Sequence, residues 1–153
     1  MTLLLVRHAD AGDRAAWTGD DRQRPLSATG RRQSEALATL HADRDIEAVL
    51  SSPARRCVQT VEPLADALGL PVVEEEALAE GAAFETVDRL LTEQTDRNVL
   101  LCSHGDVMDA ILTALRRRGH LPDRRTARKA ASWIVEGWPN PSRTEVLDPP
   151  NVG

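Results

Sequence analysis

Three short apolar runs in this chain each break off at residues able to do chemistry, and that repeated pattern limits the possible folds most. Leu3-Leu4-Leu5-Val6 runs into Arg7-His8, Ile46 to Leu50 runs into Ser51-Ser52, and Val99-Leu100-Leu101-Cys102 runs into Ser103-His104-Gly105-Asp106. An apolar run without alternation is the mark of a strand covered on both faces of a parallel sheet. Helical patterns lie between these runs. Ser27 or Thr29 can cap a helix to about His41, with Leu37 and Leu40 on its inner side. After Pro53, Val58, Val61, Leu64, Ala65 and Leu68 recur at helical spacing, and Gly69 and Pro71 end the helix. Pro63 lies inside that pattern and can kink it or shift its start.

The remaining elements are a brief strand at Val72-Val73, a helix from Phe84 to about Thr95, and a helix from Val107 to Arg118 ended by Gly119. A late strand follows at Ser132 to Val135. Asp10 to Arg24 reads as a long polar loop, and the proline-rich tail from Pro139 as surface chain without periodicity. Alternating strands and helices predict an α/β fold, a three-layer α/β/α sandwich with a mostly parallel central sheet. The 153 residues fit one domain spanning the chain. With one Phe, three Trp and no Tyr, Leu, Val and Ala must build the core.

In open parallel sheets ligands bind beyond the carboxyl ends of the strands, so the three reactive strand ends are expected at one cleft. His8 and His104 would face it beside arginines. Arginines repel a metal cation, whereas a planar guanidinium matches phosphate with two parallel hydrogen bonds. Asp10 and Asp106 keep a metal site open as an alternative, a phosphohydrolase using His8, Asp10 and His104. Arg55 and Arg56 fall in the first turn of a helix. The helix dipole disfavours cations there, so the pair suggests anion binding, with Arg55 read as solvated. Cys57 and Cys102 are too few and too far apart for a disulfide framework and read as reduced core thiols. His41 and His120 read as surface residues near helix ends, Trp17 as lining the pocket mouth and Trp133 as core.

Net charge is −5, a poor basis for binding a nucleic-acid polymer, and no apolar run approaches membrane-spanning length. The short apolar start has no basic region before it, which places the chain in the cytoplasm.

Leu5 to Asp10, Ser51 to Thr60 and Ser103 to Asp106, together with Arg24 to Gly30, resemble in order the signatures of the histidine phosphatase superfamily, also called phosphoglycerate-mutase-like. The resemblance covers about Thr2 to Val135. It implies that His8 is the nucleophile that forms a phosphohistidine, and that Arg7 and Arg56 clamp the phosphoryl oxygens. His104 would hydrogen-bond the same oxygens, and Arg24 would reach the phosphate from the loop. Glu80, in Ala77-Leu78-Ala79-Glu80-Gly81, matches the carboxylate that many relatives use as general acid. Ala9 stands where glycine is usual. No metal or cofactor is implied.

The chain is too short for the insertions of the mutases, which favours hydrolysis. It is similar both to the short bacterial phosphohistidine phosphatases and to the phosphatase domain that follows a Nudix domain in some nucleotide hydrolases. The expected substrate is a phosphorylated small molecule, a nucleotide or a phosphohistidine protein. A non-catalytic phosphoprotein-binding module is the remaining alternative.

Overall fold

A computed structural model describes residues 1–121 and 127–153. The strands are β1 (Thr2–Arg7), β2 (Ala48–Ser51), β3 (Val72–Glu74), β4 (Val99–Ser103), β5 (Ser132–Glu136) and β6 (Arg143–Leu147). The helices are α1 (Ala28–His41), α2 (Arg55–Leu68), α3 (Phe84–Glu93) and α4 (Gly105–Arg117). One sheet holds all the described strands in the order β3-β2-β4-β1-β5-β6. β3, β2, β4 and β1 run parallel, and β5 and β6 add two antiparallel pairings at one side.

Period-two geometry explains why the central strands show no alternation in sequence. Leu3 and Leu5 of β1 enter the layer built by Val87, Leu90 and Leu91 of α3 and Met108, Ile111, Leu112 and Leu115 of α4. Leu4 and Val6 enter the opposite layer with Leu37 of α1 and Val61, Leu64 and Ala65 of α2. Each face has its own helical cover, so both must be apolar. Burying a leucine in this way stabilises the fold by about 1.5–3 kcal/mol. The expected three-layer sandwich is the observed fold. No described helix is long and apolar enough to cross a membrane.

Local signals place most helix ends. Ser27 Oγ accepts from the Gly30 amide at 3.0 Å and caps α1. Gly69 closes α2 in the left-handed region at φ 68°. α2 runs through Pro63 without a break, because Val61, Leu64 and Ala65 bury their side chains on either side of it.

Three expectations are corrected. The tail is not structureless, since Arg143–Leu147 forms β6 and pairs with β5, Val146 opposite Trp133. Five residues with mixed polarity carry no readable period, and pairing with β5 defines the strand. Leu40 points outward and is 47% exposed, because the buried stripe of α1 is Gly30, Ser34, Leu37 and His41. His41 is fully buried, its Nε2 lying 3.1 Å from Ser132 Oγ while Arg44 Nε donates to its Nδ1 at 2.9 Å. With both ring nitrogens satisfied, the core tolerates the imidazole.

Candidate active site

The parallel strands end at one edge, and that edge assembles the site. His8 follows β1, and its amide donates to Ser103 O at the end of β4 at 3.0 Å. Ser52 follows β2 and donates its amide to Cys102 O of β4 at 3.0 Å. His104 is the N-cap residue of α4, and Arg56 is the second residue of α2. The His8 and His104 rings meet edge to face, 5.5 Å between centroids.

His8 Nδ1 lies 2.8 Å from the Ala9 carbonyl oxygen. A carbonyl can only accept, so Nδ1 carries the hydrogen and Nε2 presents a lone pair. Burial pushes the His8 imidazole down to about 3; the Ala9 carbonyl opposes the shift, and His104, Arg56 and Arg7 reinforce it. The ring is therefore neutral at physiological pH. Ala9 is itself fixed, its amide donating to Thr60 Oγ1 at 2.9 Å.

Arg56 is 1% exposed. Its Nη1 donates to Asp21 O at 2.9 Å, and its Nη2 faces Glu80 Oε2 at 2.8 Å and Asp21 Oδ2 at 3.1 Å. Arg7 Nη1 donates to Ala127 O. Gly105 makes room for this guanidinium, because a Cβ there would lie 2.9 Å from Arg7 Cζ. Among the described residues, the Nε atoms of Arg7 and Arg56 are buried without a hydrogen-bond partner. Each such donor costs about 1–3 kcal/mol, which an anion accepting from it would recover.

Glu80 reaches the same place. Its Oε2 accepts from Arg14 Nη2 at 2.8 Å, contacts Arg56 and lies 3.5 Å from His104 Nδ1. The hydrogen bond from Arg14 holds the Glu80 carboxyl below the usual carboxylate range against partial burial; His104 and Arg56 add to the effect. A cleft of about 390 Å³ opens here, lined among others by Asp21, Ser52, Arg56, Glu80 and His104.

These contacts decide what the strand ends have in common. A family model of the histidine phosphatase superfamily, branch 1, matches residues 3–85. The chain belongs to that superfamily. It is 34% identical over 142 residues to an 8-oxo-(d)GTP phosphatase of Mycolicibacterium smegmatis, a match covering 88% of this chain and 44% of that protein. The chain spans less than half the length of the curated relatives it matches. Among solved structures, it is similar to a SixA protein of Agrobacterium tumefaciens described as a candidate phosphohistidine phosphatase. That likeness has 28% identity, 97% coverage of both chains and a TM-score of 0.74. The protein histidine phosphatase SixA complexed with tungstate is 25% identical, with 95% and 94% coverage and a TM-score of 0.71.

As a histidine phosphatase superfamily chain, the protein brings His8, Arg56, Glu80 and His104 together, with the Arg7 guanidinium packed against Gly105. Arg24 spends donors on its own loop, Nε to Asp21 Oδ1 at 2.9 Å and Nη1 to Ala11 O at 2.6 Å, and meets the cleft through Asp21. Asp10 is turned to Ser27 and Lys129. Among the described residues no three His, Cys, Asp or Glu side chains group so that they could hold a metal ion. Trp17 is outside the cleft lining, and its Nε1 donates to Asp20 O at 3.0 Å.

Sequence reasoning missed Asp21 and Arg14. Both lie in the polar loop, where no periodicity or spacing marks one charged residue above its neighbours. Ser52 was visible as a strand end, but without an assigned partner.

Proposed function

We propose that the protein is a metal-independent phosphatase that passes the phosphoryl group through His8. One observation carries the reading: a neutral imidazole whose Nδ1 is engaged by the Ala9 carbonyl stands beside two arginines whose buried Nε donors lack acceptors among the described residues. His8 Nε2 attacks phosphorus, and the bond from phosphorus to the leaving oxygen breaks. Arg56, Arg7 and His104 hold the equatorial oxygens and offset the charge that builds there. Arg24 supports this group by fixing Asp21 against Arg56.

An incoming phosphoryl group takes Arg56 from Glu80 and sets negative charge beside that carboxylate. Both effects raise its proton affinity. Glu80 then gives a proton to the leaving oxygen. In the second half it takes a proton from water, which attacks phosphorus, breaks the bond to Nε2 and releases phosphate. A poised carboxyl group favours a phosphomonoester, whose leaving oxygen needs a proton, over phosphohistidine, whose imidazole leaves more readily. The likeness to the mycobacterial 8-oxo-(d)GTP phosphatase supports including nucleotides among the substrates.

The test is hydrolysis of an aryl phosphate in excess chelator by the wild type and by His8→Ala. Chelator-resistant turnover that disappears in the variant, with an acid-labile phosphoryl adduct trapped on the wild type, is expected. Turnover abolished by chelator, or retained by His8→Ala, would overturn the proposal.

A further inference from the structure

Glu80 reaches Arg56 and His104 from a tight turn. The Ala82 amide donates to Ala79 O at 3.0 Å and closes it, with Glu80 and Gly81 as the central residues. Gly81 takes the left-handed φ of 82° that glycine supplies at the third position of such a turn. The closing hydrogen bond does not hold the peptide between Glu80 and Gly81, which can rotate without opening the turn. That rotation would redirect the Glu80 side chain. The ion pair with Arg14 is a soft restraint against it, because the Arg14 and Glu80 side chains are 58% and 40% exposed.

Asp106 supplies a firmer tie. It lies in the first turn of α4 and lines the cleft, and its Oδ2 accepts from the Gly81 amide at 2.8 Å. That N–H belongs to the central peptide of the turn, so the carboxylate fixes the group that the turn leaves free. A carboxylate binds an amide hydrogen more strongly than a neutral oxygen does. One helix end therefore places His104, its N-cap residue, and also the turn that brings Glu80 Oε2 to 3.5 Å from His104 Nδ1. We infer that Asp106 is a positioning residue that holds Glu80 at Arg56 and His104, acting through the Gly81 amide. This inference rests on the phosphatase reading for the purpose of Glu80, though not for the contact. The competing role for an acid in a first helical turn is to offset the helix dipole.

Asp106→Ala removes both the charge and the acceptor, whereas Asp106→Asn removes the charge and keeps an acceptor oxygen. The first measurement is a carbon-13 NMR titration of the Glu80 carboxyl group in the ligand-free proteins, assigned against Glu80→Gln, with hydrogen exchange at the Gly81 amide. Losing the Asp106 charge lowers the Glu80 pKa alike in both variants. Losing the tie frees Glu80 from Arg14, whose hydrogen bond is the main cause holding its carboxyl low, and raises the pKa in Asp106→Ala alone. The expected result is a higher Glu80 midpoint and faster Gly81 exchange in Asp106→Ala than in Asp106→Asn. A general acid contributes about 100-fold or more, so kcat/KM for an alkyl phosphate should fall by about tenfold or more in Asp106→Ala. The fall should be much smaller for para-nitrophenyl phosphate, whose leaving anion needs no proton. Asp106→Asn should recover most of the alkyl phosphate rate.

An acid that only offsets the helix dipole would lower Tm in both variants, leave Glu80 titrating alike in the two and slow both substrates by one factor. That pattern overturns the inference. So does an Asp106→Asn enzyme as slow on the alkyl phosphate as Asp106→Ala, which would make the Asp106 carboxyl group itself the proton donor. A wild type that hydrolyses nothing would sink the phosphatase reading, and the titration and exchange results would still decide whether Asp106 positions Glu80.

Discussion

Glu80 Oε2 sits 2.8 Å from Arg56 Nη2, so the chain's own carboxylate occupies the guanidinium that a phosphoryl group needs. Substrate must displace an internal anion. With its carboxylate open to solvent, such an ion pair is worth about 0.2–1 kcal/mol, so Glu80→Gln should tighten inorganic phosphate binding by only about 1.4- to fivefold. Turnover of alkyl phosphates should fall at the same time, because the leaving oxygen loses its proton source. Calorimetric phosphate titration alongside steady-state kinetics separates the two effects, and weaker phosphate binding in the variant would count against the displacement.

The His8 ring should stay neutral far below the usual histidine range. With its pKa pushed down to about 3 by burial, an NMR titration should show no His8 protonation between pH 7 and pH 4.5. A midpoint near 6.5 would mean that the ring is open to water and that acid removes the nucleophile.

His41 should make the fold acid-sensitive. Burial, with Arg44 adding to it, lowers its pKa from 6.5 to about 4. Above pH 6.5 the ring is neutral folded and unfolded, so it has no effect on the balance. As pH falls from 6.5 toward 4 the unfolded chain takes up the proton first, and stability is lost by roughly 3 kcal/mol at most. Urea unfolding of wild type and His41→Gln at pH 7 and pH 4.5 checks this. The loss between the two pH values should shrink in the variant, and an equal loss in both would assign the acid sensitivity to other groups.

Two glycine substitutions should separate activity from stability. In Gly105→Ala the new Cβ meets the far end of Arg7, which can move aside. Turnover should fall between about tenfold and 100-fold from the displaced guanidinium, with Tm little changed. In Gly30→Ala the Cβ would lie 1.9 Å from the Asp10 carbonyl oxygen, which is backbone and cannot yield cheaply. That variant should lose about 3 kcal/mol or more of stability. Thermal melts and kinetics on both would show the contrast, and a stable Gly30→Ala protein would refute the rigidity assumed for Asp10.

Which features were legible before any coordinates follows from how far apart the interacting groups lie in sequence. The parallel strands, the capped helices and the cluster of strand ends could be read directly, because apolar runs, Ser27 and Gly69 act through residues only a few positions away. His8, Arg56, Glu80 and His104 could be picked out as a set through motif order and family resemblance. Other features depended on contacts between distant segments. His41 is buried because Ser132, on a strand far along the chain, offers it a hydrogen bond. Arg143–Leu147 is a strand because β5 supplies its backbone partners. Asp21 and Arg14 belong to the site because a polar loop folds back over Arg56 and Glu80. Periodicity reports how a residue relates to its own helix or strand. A hydrogen bond or ion pair between remote segments leaves no such trace, and only the packed tertiary structure decides which donor meets which acceptor.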